Sequence, residues 1–121
     1  MHVILGLMNE TYDEIMYTAK TLAKLNVDGI KFHMLCVLKN TQLEKIYNKN
    51  KFELLNEDEY VNLVCDFLEV LPPTTTIHRI AGNGLNKLLI EPHWIMNKFE
   101  TLNKIDRTLE KRNSYQGMKY Q

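Results

Sequence analysis

The segment HVILGLMNETYDEI constrains the fold of this chain more than any other, because within fourteen residues it joins an apolar run to a glycine and then to a helix start. Val3, Ile4, Leu5 and Leu7 hardly alternate with polar residues, which is the pattern of a strand covered on both faces. Thr11 and Glu14 then have the spacing of a capping box, and Ile15, Ala19, Leu22 and Ala23 recur at helical intervals. A helix over residues 12–25 follows from that rhythm. A strand of this kind needs neighbours on both sides, yet only Met1 and His2 stand before it. The expectation is therefore a chain that starts either at the centre of its own small sheet or partway through a larger one.

The rest of the chain alternates in the same way. NVDG breaks the first helix, and IKFHMLCVL predicts a second strand with Ile30, Phe32, Met34, Cys36 and Leu38 on one face and Lys31, His33, Leu35 and Val37 on the other. A long connection with one short helix near residues 43–47 leads to a second cap pair, Asn56 and Glu59. Behind it, Tyr60, Leu63, Val64, Phe67, Leu68 and Leu71 keep an i, i+3, i+4 spacing until Pro72 and Pro73 end the helix. TTTIHRIAG reads as a third strand ending at Gly82, NGLNKLLIEP as a turn with a short helical piece, and residues 93–112 as a last helix. The polar tail NSYQGMKYQ is expected to fray. Strands alternating with helices imply an α/β fold with a parallel sheet of about three strands and covering helices.

Composition narrows the function classes. Fifteen basic residues balance fifteen acidic ones, so no global field draws the chain onto nucleic acid or an anionic membrane. No apolar run approaches the ~20 residues of a bilayer span, and no signal-peptide pattern opens the chain, so a cytoplasmic location is expected. Cys36 and Cys65 each sit among apolar neighbours, which suits core packing better than a disulfide or a metal site. No P-loop, HExxH or hydrolase nucleophile motif is present.

ILGLMNET departs only at Met8 and Asn9 from the strand-turn GLPGET found late in the barrel of radical S-adenosylmethionine enzymes. The likeness continues, in order, through DGIKFHMLCVLKNTQLEKIY, FELLNEDEYVNLVCDFLEVLPP, TIHRIAGNG and WIMNKFETLNKIDRTLEKRNSYQG. These segments resemble the carboxyl-terminal half of a bacterial radical SAM family, an iron-sulfur oxidoreductase-like group of unassigned reaction. That group is distantly related to the oxygen-independent coproporphyrinogen oxidases and the Elongator catalytic subunit. The resemblance implies a fragment of a (β/α)6-type barrel over residues 1–112, followed by a polar tail over 113–121. It also implies S-adenosylmethionine and a 4Fe-4S cluster in the full-length protein. The cluster needs the closely placed thiolates of CxxxCxxC. The two cysteines here stand 29 positions apart, so the cluster is expected on an N-terminal half, and this chain alone is expected to hold no cofactor and to be inactive.

By the same resemblance, Gly6, Asn9 and Glu10 would approach the cofactor, with Asn9 in the place of a glycine and able to adopt positive φ. Against this stands a plain turn in which Glu10 only favours the helix dipole. His33 faces the polar side of its strand, either as a substrate contact or as a satisfied structural histidine, and His2 joins it if the two share a face. His78 and Arg79 are adjacent in a strand, so alternation sends them to opposite faces. Arg79 is the better candidate for a carboxylate or phosphate, with a salt bridge as the alternative. Trp94 suits a packing anchor, and the lysines of residues 39–51 a solvated loop. A rival reading is a non-catalytic binding or assembly module that dimerises through an exposed strand edge. An RNA-binding role would rest on the SYQGMKY tail alone.

Overall fold

The computed structural model describes residues 1–7, 9–49, 54–80 and 89–120. The elements run β1 (His2–Leu5), α1 (Tyr12–Leu25), β2 (Gly29–Met34), β3 (Val37–Leu38), α2 (Gln42–Lys49), α3 (Glu57–Val70), β4 (Thr76–Arg79), β5 (Leu89–Glu91), a 3-10 turn (His93–Met96) and α4 (Lys98–Lys111). Both capping boxes form as their spacing requires. The Thr11 hydroxyl accepts the Glu14 N–H while the Glu14 carboxylate accepts the Thr11 N–H, and Asn56 and Glu59 do the same for α3.

The main sheet has the order β1-β2-β4, with both pairings parallel. Val3, Leu5, Ile30, Phe32 and Met34 point to one side, where Ile15, Ala19 and Leu22 of α1 and Val64, Phe67 and Leu68 of α3 bury them. Phe32 meets Phe67 edge-on at 5.0 Å between ring centroids. Helix α3 is the centre of the core, because it packs on the sheet with one side and on α4 with the other, where Ile105 and Thr101 are buried. Polar contacts fasten α4 at both ends. Glu57 takes the Thr101 hydroxyl at 2.9 Å and pairs with Lys104, and Arg112 reaches Asp66 at 2.7 Å.

Several expectations are corrected here. The opening strand is covered on one face only: Val3 and Leu5 are buried, whereas His2 and Ile4 lie on an open face. Among the described residues β1 pairs with β2 alone, so its other edge has no strand partner there. The second strand stops at Met34, and Val37–Leu38 instead forms an antiparallel pair with Leu89–Glu91. Val37 and Leu89 are buried there, so residues read as part of a short helical piece are strand. The expected strand end at Gly82 and the turn over 83–88 lie outside the described residues. The last helix is interrupted, since the Asn97 side chain accepts the Glu100 N–H and so starts α4 after the 3-10 turn.

The tail is docked rather than frayed. Helix α3 ends without a left-handed cap residue, because Leu71 is extended before the two prolines. The tail covers that end: Gly117 N–H donates to Leu68 O at 3.0 Å and Lys119 N–H to Glu69 O at 2.8 Å. Gln116 Nε2 spans the next turn by donating to the Pro72 and Thr75 carbonyls, both at 2.9 Å. Gly117, at φ +91°, lies so close to Pro73 that an added Cβ would meet its Cγ at 2.5 Å.

Candidate functional site

Two groups of residues lie on different sides of the sheet, one at the turn that follows the carboxyl end of β1 and one along its open face from His2 onward. The first is the turn after the strand. Gly6 and Asn9 both take positive φ, +85° and +63°, and the Glu10 N–H closes the turn on Leu7 O at 3.1 Å. Asn9 therefore adopts the left-handed conformation that a glycine would take at its place. Gly6 also faces a close neighbour, because Leu55 Cδ1 lies 2.8 Å from where a Cβ would stand. Leu55 is held in turn by Trp94, whose Nε1–H donates to the Leu55 carbonyl at 3.1 Å while its ring leans on Tyr60. Trp94 is thus a packing anchor that sets the floor of the turn.

A cavity of about 820 Å³ opens on this turn, between α1, α2 and α3. Gly6, Asn9 and Glu10 line it, with Leu55, Glu59 and Asp66 among the other walls. The Glu10 Oε1 atom is buried and has no hydrogen-bond partner among the described residues. Burial raises the Glu10 carboxyl above the usual carboxylate range, and the neighbouring Glu14 adds to the rise. A buried acceptor left without a donor is costly, so this oxygen is suited to a ligand that brings a donor or a positive charge. Asp66 differs, because its carboxylate already takes the Tyr12 hydroxyl at 3.0 Å and Arg112.

The second group lies on the open face of the sheet. Register puts His2 beside Lys31, Lys31 beside Arg79 and Ile4 beside His33. His2 Nδ1 and His33 Nε2 are 2.8 Å apart, one donating and the other accepting, and the rings stack 8° from parallel. Burial first, and then the positive neighbours His2, Arg79 and Lys31, hold His33 below the ordinary imidazole range. The sequence pattern brought the two histidines together correctly, but it passed over Lys31 as an ordinary polar-face residue. It also separated His78 from Arg79 by strict alternation. A bulge between the β2 and β4 registers undoes that rule, and both residues are exposed, with the His78 ring 2.4 Å from the position of an added Gly29 Cβ. The five candidates do not meet in one cavity, since His33 and Arg79 are absent from the lining on Glu10.

Nothing among the described residues resembles a metal centre, since no three His, Cys, Asp or Glu side chains converge to hold an ion. Both cysteines are free. Burial pushes the Cys65 thiol up to about 11 and also raises Cys36. No helix of the described chain is long and apolar enough to cross a membrane.

The Radical_SAM C-terminal domain matches residues 27–111. The uncharacterized protein YtqA of Bacillus subtilis is 50% identical over 120 residues, which cover 99% of this chain and 37% of YtqA. The uncharacterized protein MJ0486 of Methanocaldococcus jannaschii is 38% identical over 120 residues, covering 98% of this chain and 37% of that protein. The chain therefore spans little more than a third of these relatives. Among solved structures, the archaeal Elp3 of Methanocaldococcus infernus with an N-terminal deletion is similar at a TM-score of 0.70, over 95% of this chain and 27% of that one. At 14% identity that likeness shows a shared fold.

Proposed function

The chain belongs to the Radical_SAM C-terminal domain family, and from that membership we propose that it works within a radical S-adenosylmethionine protein, as part of the cofactor pocket and the substrate wall. The cluster belongs to the remainder of that protein. Its CxxxCxxC motif is not in this sequence. In the whole protein the bound cofactor and cluster would supply radical hydrogen-abstraction chemistry. This chain's own residues bind and orient.

The observation that carries the reading is the unpartnered Oε1 of Glu10 in the cavity formed at the Gly6–Asn9 turn. The amino group of S-adenosylmethionine is a cationic donor of the kind this oxygen lacks. His33 and Arg79 form the substrate wall. The bare edge of β1 supports a barrel whose next strand comes from the remainder of the protein, because an unpaired strand edge seeks a partner. A second copy of the chain would serve that edge equally, and light scattering separates the two. A chain that is monomeric at high concentration rules out strand-edge dimerisation.

Titration calorimetry with S-adenosylmethionine on the whole protein, with the cluster-bearing part present, tests the pocket. Saturable binding that Glu10→Gln weakens by roughly tenfold, the loss of one charge-assisted contact, is the expected result. No binding, or equal binding by the variant, overturns it.

A further inference from the structure

We infer that the open face of the sheet is an oxyanion site, and that the substrate is elongated with a phosphate or carboxylate at one end. This deepens the reading of that face as the substrate wall, and rests on it. The site is a row across three strands. His2, Lys31 and Arg79 are direct register partners on β1, β2 and β4, spaced by the ~4.8 Å between neighbouring strands. Like charges directly opposite one another destabilise a sheet, and a counter-charge on the protein would relieve the strain. None is present, since neither Lys31 nor Arg79 has a carboxylate within ion-pair distance among the described residues.

A bound oxyanion supplies what the row lacks. The Arg79 guanidinium presents a planar fork that matches two oxygens, Lys31 adds a compact charge, and the His2–His33 pair closes the side nearest β1. The chemistry of neighbouring positions sets the shape of the ligand. Two residues beyond the row, about 6.6 Å at the strand rise, the face becomes apolar at Ile4, and the Gly6 turn follows after as much again. A substrate anchored on the row and reacting at the carboxyl end of the sheet, where α/β proteins act, therefore spans about 13 Å, with an apolar middle.

Inorganic phosphate and n-hexyl phosphate are the probes, with binding to the chain read by calorimetry and by the His2 and His33 imidazole NMR signals. Saturable binding of phosphate is expected. Lys31→Gln and Arg79→Gln should each weaken it by roughly tenfold, whereas Lys20→Gln on α1 leaves it unchanged. Hexyl phosphate should bind more tightly than phosphate, and Ile4→Ser should abolish the difference. All four side chains are exposed, and unchanged thermal melting verifies that the variants fold. Phosphate binding that is absent, or indifferent to both charge substitutions, overturns the site. S-adenosylmethionine is the second ligand, titrated into the whole protein with the same substitutions. If Lys31→Gln and Arg79→Gln weaken it as much as phosphate, the row serves the cofactor carboxylate and the substrate inference fails. If Glu10→Gln leaves S-adenosylmethionine binding intact while Arg79→Gln still weakens phosphate binding, the cofactor reading fails and the oxyanion site stands.

Discussion

Arg112→Met should destabilise the chain by about 3 kcal/mol, through loss of the cation that ties the end of α4 to α3. Arg112 donates to Asp66 Oδ1 at 2.7 Å, to Glu69 Oε1 at 3.3 Å and to Asn62 Oδ1 at 3.0 Å. Those three contacts differ in weight. The Arg112 and Asp66 side chains are 28% and 25% exposed, so water screens that pair and it contributes about 1 kcal/mol. Glu69 is only 3% exposed, and with Arg112 gone it keeps the Ser114 hydroxyl and Lys119 at 3.7 Å as its remaining support. Leaving a buried carboxylate short of its main partner supplies the other ~2 kcal/mol. Urea unfolding at pH 7 measures the loss. With a slope of about 1.5 kcal/mol/M, the midpoint should fall by about 2 M at unchanged slope. Arg107→Ala, on the exposed side of the same helix, should move the midpoint little. Glu69→Gln in the Arg112→Met background should recover part of the loss, because the uncompensated charge is then gone. A midpoint shift below ~0.3 M, or a double variant whose losses simply add, would refute the network as the cause.

Gly6→Ala should cost about 1–3 kcal/mol, since φ of +85° and the Leu55 contact both oppose a side chain; adding Leu55→Ala should return the steric part only, as seen in the same urea assay. For His33, whose pKa is lowered in the fold, the unfolded chain takes up its proton first. Stability should therefore fall as pH drops from about 6.5 through the folded value, and His33→Gln should flatten that slope in melts across pH 5–7. The cysteines should be poor nucleophiles at neutral pH. Iodoacetamide should alkylate half-buried Cys36 slowly and Cys65 only on unfolding, as peptide mass analysis would show; rapid labelling of Cys65 in the native chain would contradict its burial.

Helices α1 and α3 were legible because everything that specifies them is local. The cap pairs Thr11–Glu14 and Asn56–Glu59 lie three residues apart, and the apolar stripes behind them run to the observed ends. The pairing of His2 with His33 was legible too, once β1 and β2 were taken as parallel neighbours with alternating faces. What escaped the pattern depends on distant partners. Val37–Leu38 reads as a continuation of β2 until Leu89–Glu91 draws it into a second sheet, and a two-residue strand has no period of its own. His78 and Arg79 share a face only because of a bulge against β2, and a bulge is a property of two strands. The tail resembled a solvated end by composition. It docks because the proline stop leaves α3 carbonyls in need of donors, and that need is invisible from residue 113 onward.

The sequence by itself determined the capped helices α1 and α3, the parallel α/β plan of the main sheet, and the identity of the chemically able residues, since these follow from contacts within a few positions and from side-chain type. Tertiary structure alone decided that Leu55 fills the hollow over Gly6, that one oxygen of Glu10 has no donor among the described residues, and that Lys31 and Arg79 stand opposite one another beside His2 with no carboxylate of the described residues paired to either cation. Each of those depends on groups at least 25 residues apart along the chain or on the absence of any group at all, and neither is written in local order.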